Sequence, residues 1–282
     1  MKTFHMIFPI HYKYMRRQTF LNTALYLFAF LAIQFAVVFI AYIIDFATNA
    51  GNATHELSAA ATTVATLVSS LLTIALFYWR RWTPCTGEYI NQRPWFTLCW
   101  VACLAVGVII PNSLLTEWLG FEMSNNLEQL FEGMMSHRLG FITIGIVVPI
   151  AEEFVFRGAI LRALNEFMGK RCRWVAIAVS ALLFALVHGN LAQGVGAFLI
   201  GLALGWMYVR TNSVVPGIVL HWVNNSIAVV LYKIYPESAT QNITDLFGGD
   251  TVRIALAVLF SLMICGASLY QLNLRLAKPK QC

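Results

Sequence analysis

The sequence predicts an all-α fold, a polytopic membrane helical bundle of about eight transmembrane helices with both termini cytoplasmic. Three observations carry this. Of its 282 residues 59% are hydrophobic and only 11% charged, whereas soluble domains carry about a quarter charged residues. Apolar runs close to the ~20 residues that cross a hydrocarbon core recur near 19–44, 58–79, 95–115, 139–161, 174–190, 192–209, 214–232 and 252–272. With the N-terminus inside, only Arg138, Lys233 and Arg253 of the 19 Lys and Arg fall outside, in keeping with the cytoplasmic bias of basic residues at span ends.

The first run follows a basic leader, HYKYMRRQTF. It is too long for a signal-peptide core and no clear small-residue cleavage site follows it, so it reads as a retained helix. The second and third runs flank a basic connection with Arg80, Arg81 and Arg93. Between the third and fourth, segment 112–138 has apolar residues at helical spacing. It fits an amphipathic helix on the outer interface as well as a partly ordered loop. Runs four and five are joined by a basic turn around Lys170 and Arg171, and runs five and six either cross or dip in and return. No connection is long enough to bury a core, and neither repeats nor low-complexity tracts stand out. The chain therefore reads as one membrane domain, 1–282, made of N-terminal spans 1–138, a motif-bearing core 139–232, and a last loop and span 233–282.

The net charge of +6 reflects this topology and anionic headgroups, and no aromatic-interleaved basic motif argues for nucleic acid. None of the six cysteines falls in an outside loop, where disulfides would be favoured, so all read as reduced thiols. Cys99 and Cys103 share a helical face and read as small core residues rather than metal ligands.

An ionisable residue at membrane depth is costly and is usually functional. Here such residues cluster in the second half: Glu152 and Glu153 on run four, His188 at the end of run five, His221 and Asn225 on run seven. Glu153 and Arg157 are spaced i, i+4 with the acid first, the better orientation for an ion pair. Glu152 points about 100° away around the helix and is left without a partner in its own span, as a general base requires. Pro149 removes a backbone bond to the Gly145 carbonyl and predicts a kink just before the carboxylates. The carboxylates precede the basic turn by as many residues as His188 follows it, so a helical hairpin sets them at one level. His221 and Asn225 project from one face. Ala197, Gly201 and Gly205 form a small-residue ridge that lets helices approach.

Taken singly, Glu153 with Arg157 reads as a structural ion pair, His221 with Asn225 as interhelical glue, His188 as a helix cap and the ridge as packing. Together they fit hydrolysis. Glu152 takes a proton from water, His188 holds that water, and His221 and Asn225 donate to the oxyanion formed at a carbonyl. No Gly-x-Ser-x-Gly serine competes for the nucleophile role.

At these residues the sequence resembles the CPBP family of membrane proteases, also called the Abi or type II CAAX prenyl endopeptidase family. The resemblance spans about 139–230 and rests on Glu-Glu-x3-Arg (Glu152, Glu153, Arg157), Phe-x3-His (Phe184, His188) and His-x3-Asn (His221, Asn225). It implies a glutamate-dependent intramembrane endopeptidase without a metal or other cofactor, multi-pass in a membrane, which in a prokaryote is the cell membrane. Glu152 and His188 would activate water, His221 and Asn225 would form the oxyanion hole, and Glu153 with Arg157 would support the site. The implied substrate is a membrane-associated peptide, prenylated or of leader type. A metal-dependent membrane protease, a non-catalytic scaffold and a proton-coupled carrier are the alternatives. The missing His-Glu-x2-His spacing and the lack of internal symmetry speak against the first and last.

Overall fold

The structure is a computed structural model that describes residues 4–48, 57–236 and 242–276. Its helices are α1 Phe4–Thr48, α2 Ala59–Trp79, α3 Glu88–Asn91, α4 Trp95–Trp118 and α5 Asn125–Ser136. The broken helix α6 Phe141–Met168 follows. After a 3-10 turn come α7 Arg173–Leu186, α8 Leu191–Thr211, α9 Val215–Ile234, α10 Ile243–Leu246 and α11 Thr251–Arg275. No strand occurs among the described residues, and the chain is an integral multi-pass membrane bundle.

Of the about eight expected spans, six helices among the described residues are long and apolar enough to cross: residues Phe20–Thr48 of α1, then α2, α4, α8, α9 and α11. The fourth expected span is α6, which passes only together with α5, and the two meet at 99°. Its shortfall is chemical, because Glu152, Glu153 and Arg157 interrupt the apolar stretch. The fifth, α7, has 14 residues. At 1.5 Å per residue it reaches about 21 Å, short of a ~30 Å hydrocarbon core.

Segment 112–138 takes its helical reading. The helix of run three continues through Pro111 to Trp118, and α5 packs against α2 and α9. The sharp bend after α5 is enforced at Gly140, where a Cβ would stand 2.1 Å from the Met134 carbonyl oxygen. Pro149 stands in a short α segment between two π turns, Phe141–Val147 and Phe154–Leu161. π turns interrupt α-helices frequently at functional sites.

Two buried cores hold the bundle. One gathers Phe154–Leu161 with Tyr26, Phe30, Phe77, Ile177 and Phe184, and all eight residues of that π segment are buried. The other joins α4, α8, α9 and α11 through Leu104, Met207, Leu220 and Leu272. Outward faces carry exposed Phe28, Phe35, Leu71 and Phe260, which bulk water would penalise and lipid does not. The expectation that Cys99 and Cys103 are core residues is overturned. Both are exposed, because α4 turns Val101, Leu104 and Ala105 inward instead. No disulfide joins the described cysteines, and Cys282 lies outside the described residues.

Side chains draw the basic helix ends together. Arg162 donates to the Trp82 carbonyl at 3.0 Å, and Arg210 donates to the carbonyls of Asn273 and Leu276 at 2.9 and 3.0 Å. At the opposite end Glu117 accepts from the backbone N–H and hydroxyl of Thr244. The bundle is thus polarised, with Arg80, Arg81, Arg93, Arg162, Arg210 and Arg275 at one end.

Candidate active site

The site begins with backbone that α6 cannot satisfy. Pro149 has no N–H, so it donates neither to the Gly145 carbonyl four residues back nor to the Ile144 carbonyl five back. Helix α9 supplies the donors. Asn225 Nδ2 donates to Ile144 O at 3.3 Å, and Ser226 Oγ lies 3.5 Å from Gly145 O. The proline thus selects the face on which the His-x3-Asn helix docks. Further along, Thr83 donates to Phe154 O and Ser180 to Phe156 O, at 2.9 Å for the latter. Sequence reasoning had no signal for these two, because nothing in the chain announces a π turn.

Four expected residues come together. Arg157 Nη1 donates to Glu153 Oε1 at 2.7 Å, with side chains 1% and 0% exposed. His221 sits between the two carboxylates: its Nδ1 is 3.4 Å from Glu153 Oε1 and its Nε2 is 3.5 Å from Glu152 Oε2. Glu152 keeps 14% of its side chain exposed. Of the two carboxylates it alone is partly exposed. The partner that Glu152 lacks within its own helix is found across the bundle, on α9.

His188 stands apart from the carboxylates. Its Nδ1 lies 2.8 Å from the Phe184 carbonyl. A carbonyl only accepts, so this nitrogen carries the proton, and Nε2 of the neutral ring keeps its lone pair. The Phe184 ring is the hub. His188 and His221 pack edge-on to it at centroid distances of 5.0 and 5.6 Å, and the Arg157 guanidinium lies 4.4 Å from its centroid. Phe184 entered the sequence reading only as the first residue of Phe-x3-His, and its role as the wall shared by three polar groups comes from the fold. Asn225, one turn beyond His221, is held at the rim by Ile144.

Two helices close over the ion pair. Gly201 of the expected ridge presents its carbonyl 3.4 Å from Arg157 Nη2, while Gly201 and Gly205 press on Ala181 and Ile177 of α7. Gly217, one turn before His221, was not singled out by the sequence, and a Cβ there would stand 2.4 Å from Glu153 Oε2. That oxygen is buried without a hydrogen-bond partner. Gly217→Ala is expected to push the carboxylate away and to cost about 1–3 kcal/mol by overpacking. Thermal unfolding in detergent that matched the wild type would contradict the close approach. With Glu153 Oε1 committed to Arg157, no group of three or more His, Cys, Asp or Glu among the described residues is arranged to hold a metal ion.

The model of a family described as type II CAAX prenyl endopeptidase, Rce1-like, matches residues 135–227, the stretch from the end of α5 to Ile227 on α9. The membrane-embedded CAAX protease MroQ of Staphylococcus aureus is 27% identical over 148 residues, 51% of this chain and 60% of that protein. An uncharacterized 24.3 kDa protein of Escherichia coli is 30% identical over 167 residues, 55% of this chain and 73% of that one. The chain thus spans less than two thirds of the first relative's length. No solved structure matches it.

Proposed function

We propose, from the premise that the chain belongs to the Rce1-like type II CAAX prenyl endopeptidase family, that it is an intramembrane endopeptidase using a glutamate-activated water. The single observation that carries this is the Glu152 carboxylate: partly open, inside the bundle, 3.5 Å from the His221 ring and beside a second carboxylate already neutralised by arginine.

Glu152 takes a proton from a water that the Nε2 lone pair of His188 helps to orient. The water oxygen adds to the carbonyl carbon of the scissile amide, and the π electrons move onto the carbonyl oxygen. His221 and the second N–H of Asn225 Nδ2 donate to that oxyanion. When it collapses, the C–N bond breaks and the proton held by Glu152 passes to the leaving nitrogen, giving a carboxylic acid and an amine. Glu153 and Arg157 hold the His221 face of the pocket. They touch neither water nor substrate in this scheme.

The substrate is a membrane-associated peptide, prenylated or of leader type. It enters from the basic, cytoplasmic end, a reading supported by the place of His221, about 9 Å up α9 from Val215 at 1.5 Å per residue. Residues 139–232 form the catalytic core in this scheme, and 1–138 and 233–282 complete one membrane domain around it. Asn225→Ala is expected to lower kcat by about 10²–10³, as loss of one oxyanion donor does, with little change in KM. Comparative peptidomics of membranes holding wild type or Asn225→Ala checks it, and identical peptide profiles would count against the assignment.

A further inference from the structure

At the basic end of the bundle, away from the carboxylates, a cavity of about 370 Å³ opens between the α3–α4 corner, the α8–α9 turn and the end of α11. This is within the size range of small-ligand sites. The peptidase reading uses none of its residues. Two cations line it, Arg93 and Arg275. Arg275 is preorganised, its guanidinium 4.3 Å from the Phe96 ring centroid and its Nε bonded to Gln271 at 3.1 Å. Neither terminal nitrogen is hydrogen-bonded among the described residues, which leaves both for a ligand. Arg93 forms no hydrogen bond or ion pair with the described side chains.

Neutral donors converge on the same space. Tyr89 lines it with a hydroxyl that is buried and has no partner among the described residues, and burial pushes its pKa up to about 12, so the group remains a donor. The first turn of α4 adds the Thr97 hydroxyl and backbone N–H groups that no side chain caps, at the positive end of a 24-residue helix. Glu88 is the one acid in the lining, against two arginines. Exposed Trp79 and Trp95 at this end mark the headgroup level, where tryptophan concentrates.

We propose that this cavity binds a phosphate group. Guanidinium forks, hydroxyls and helix N–H groups arriving from several sides suit a tetrahedral oxyanion better than a planar carboxylate. The group can be carried by a lipid headgroup or be free in solution, and the chemistry of recognition is the same.

The test uses the purified full chain and reads binding rather than peptide cleavage, so it stands apart from the proposed hydrolysis. Native mass spectrometry from nanodiscs of phosphatidylcholine with phosphatidylglycerol counts retained anionic lipid. In detergent, thermal unfolding is followed against inorganic phosphate, with chloride at equal ionic strength as the reference. Arg93→Gln/Arg275→Gln is expected to weaken the binding by about 100-fold, while Arg81→Gln, which removes a charge from the same connection outside the cavity, leaves it intact. A saturable phosphate-dependent rise in Tm assigns the free anion. Lipid retention without that rise assigns the headgroup. Should the double variant fold poorly, Tyr89→Phe keeps the ring and removes one donor, with an expected loss of about two- to ten-fold. Wild-type affinity in Tyr89→Phe and the double variant, an equal loss in Arg81→Gln, or no response of the wild type to either ligand overturns the proposal.

Discussion

Glu152→Gln is expected to abolish peptide cleavage, with kcat down by about 10³ or more, while the protein inserts and unfolds like wild type. Loss of a general base typically costs 10²–10⁴ in rate. The amide keeps the size of the carboxylate and its place beside His221, 3.5 Å away, but it cannot take a proton from water. Because Glu152 is the more exposed of the two acids, the packing around it is under little demand. Cleavage of a membrane peptide in proteoliposomes, followed by mass spectrometry beside a thermal melt, separates the two effects. Retention of more than a tenth of the activity by a folded Glu152→Gln protein would remove Glu152 from the base role.

Arg157→Leu has the largest expected effect on folding. Its guanidinium and the Glu153 carboxylate are both buried and lie 2.7 Å apart. Removing one partner strands a buried charge, at a cost of about 3–5 kcal/mol. Arg157 also packs on Phe184 and donates to Gly201, so three helices loosen together. In Glu153→Leu/Arg157→Met the stranded charge disappears, and replacing both partners with apolar groups is often neutral for stability. This double variant is expected to recover most of the lost stability while losing activity, because the Glu153 carboxylate 3.4 Å from His221 Nδ1 is then gone. Equilibrium unfolding of the two variants checks the pair. An Arg157→Leu protein as stable as wild type would show that the ion pair contributes nothing to the fold.

The proposed site was legible in parts. Helical spacing alone paired Glu153 with Arg157, since i, i+4 neighbours meet whatever the tertiary context. The same local rule left Glu152 unpaired, because no neighbour in its own helix can reach it. His221 resisted this logic. Its contacts with both carboxylates span nearly seventy residues of sequence and depend on how α9 docks. That docking follows from backbone carbonyls freed around Pro149 and from the absence of a Cβ at Gly217. Apolar periodicity placed the long spans well, because a bilayer demands a set length of apolar helix. It overcounted at run five, where α7 stops after fourteen residues.

By itself, the sequence determined membrane residence, helical class and the pairings within a single helix, because these depend on composition and on neighbours a few residues apart. Only the tertiary structure decided which imidazole stands beside which carboxylate, that α6 widens into π turns on both sides of Pro149, and that arginines from distant segments share a cavity at the basic end. Those outcomes turn on how closely helices approach, and that closeness is set by single missing side chains and by orphaned carbonyls seeking donors from another part of the chain.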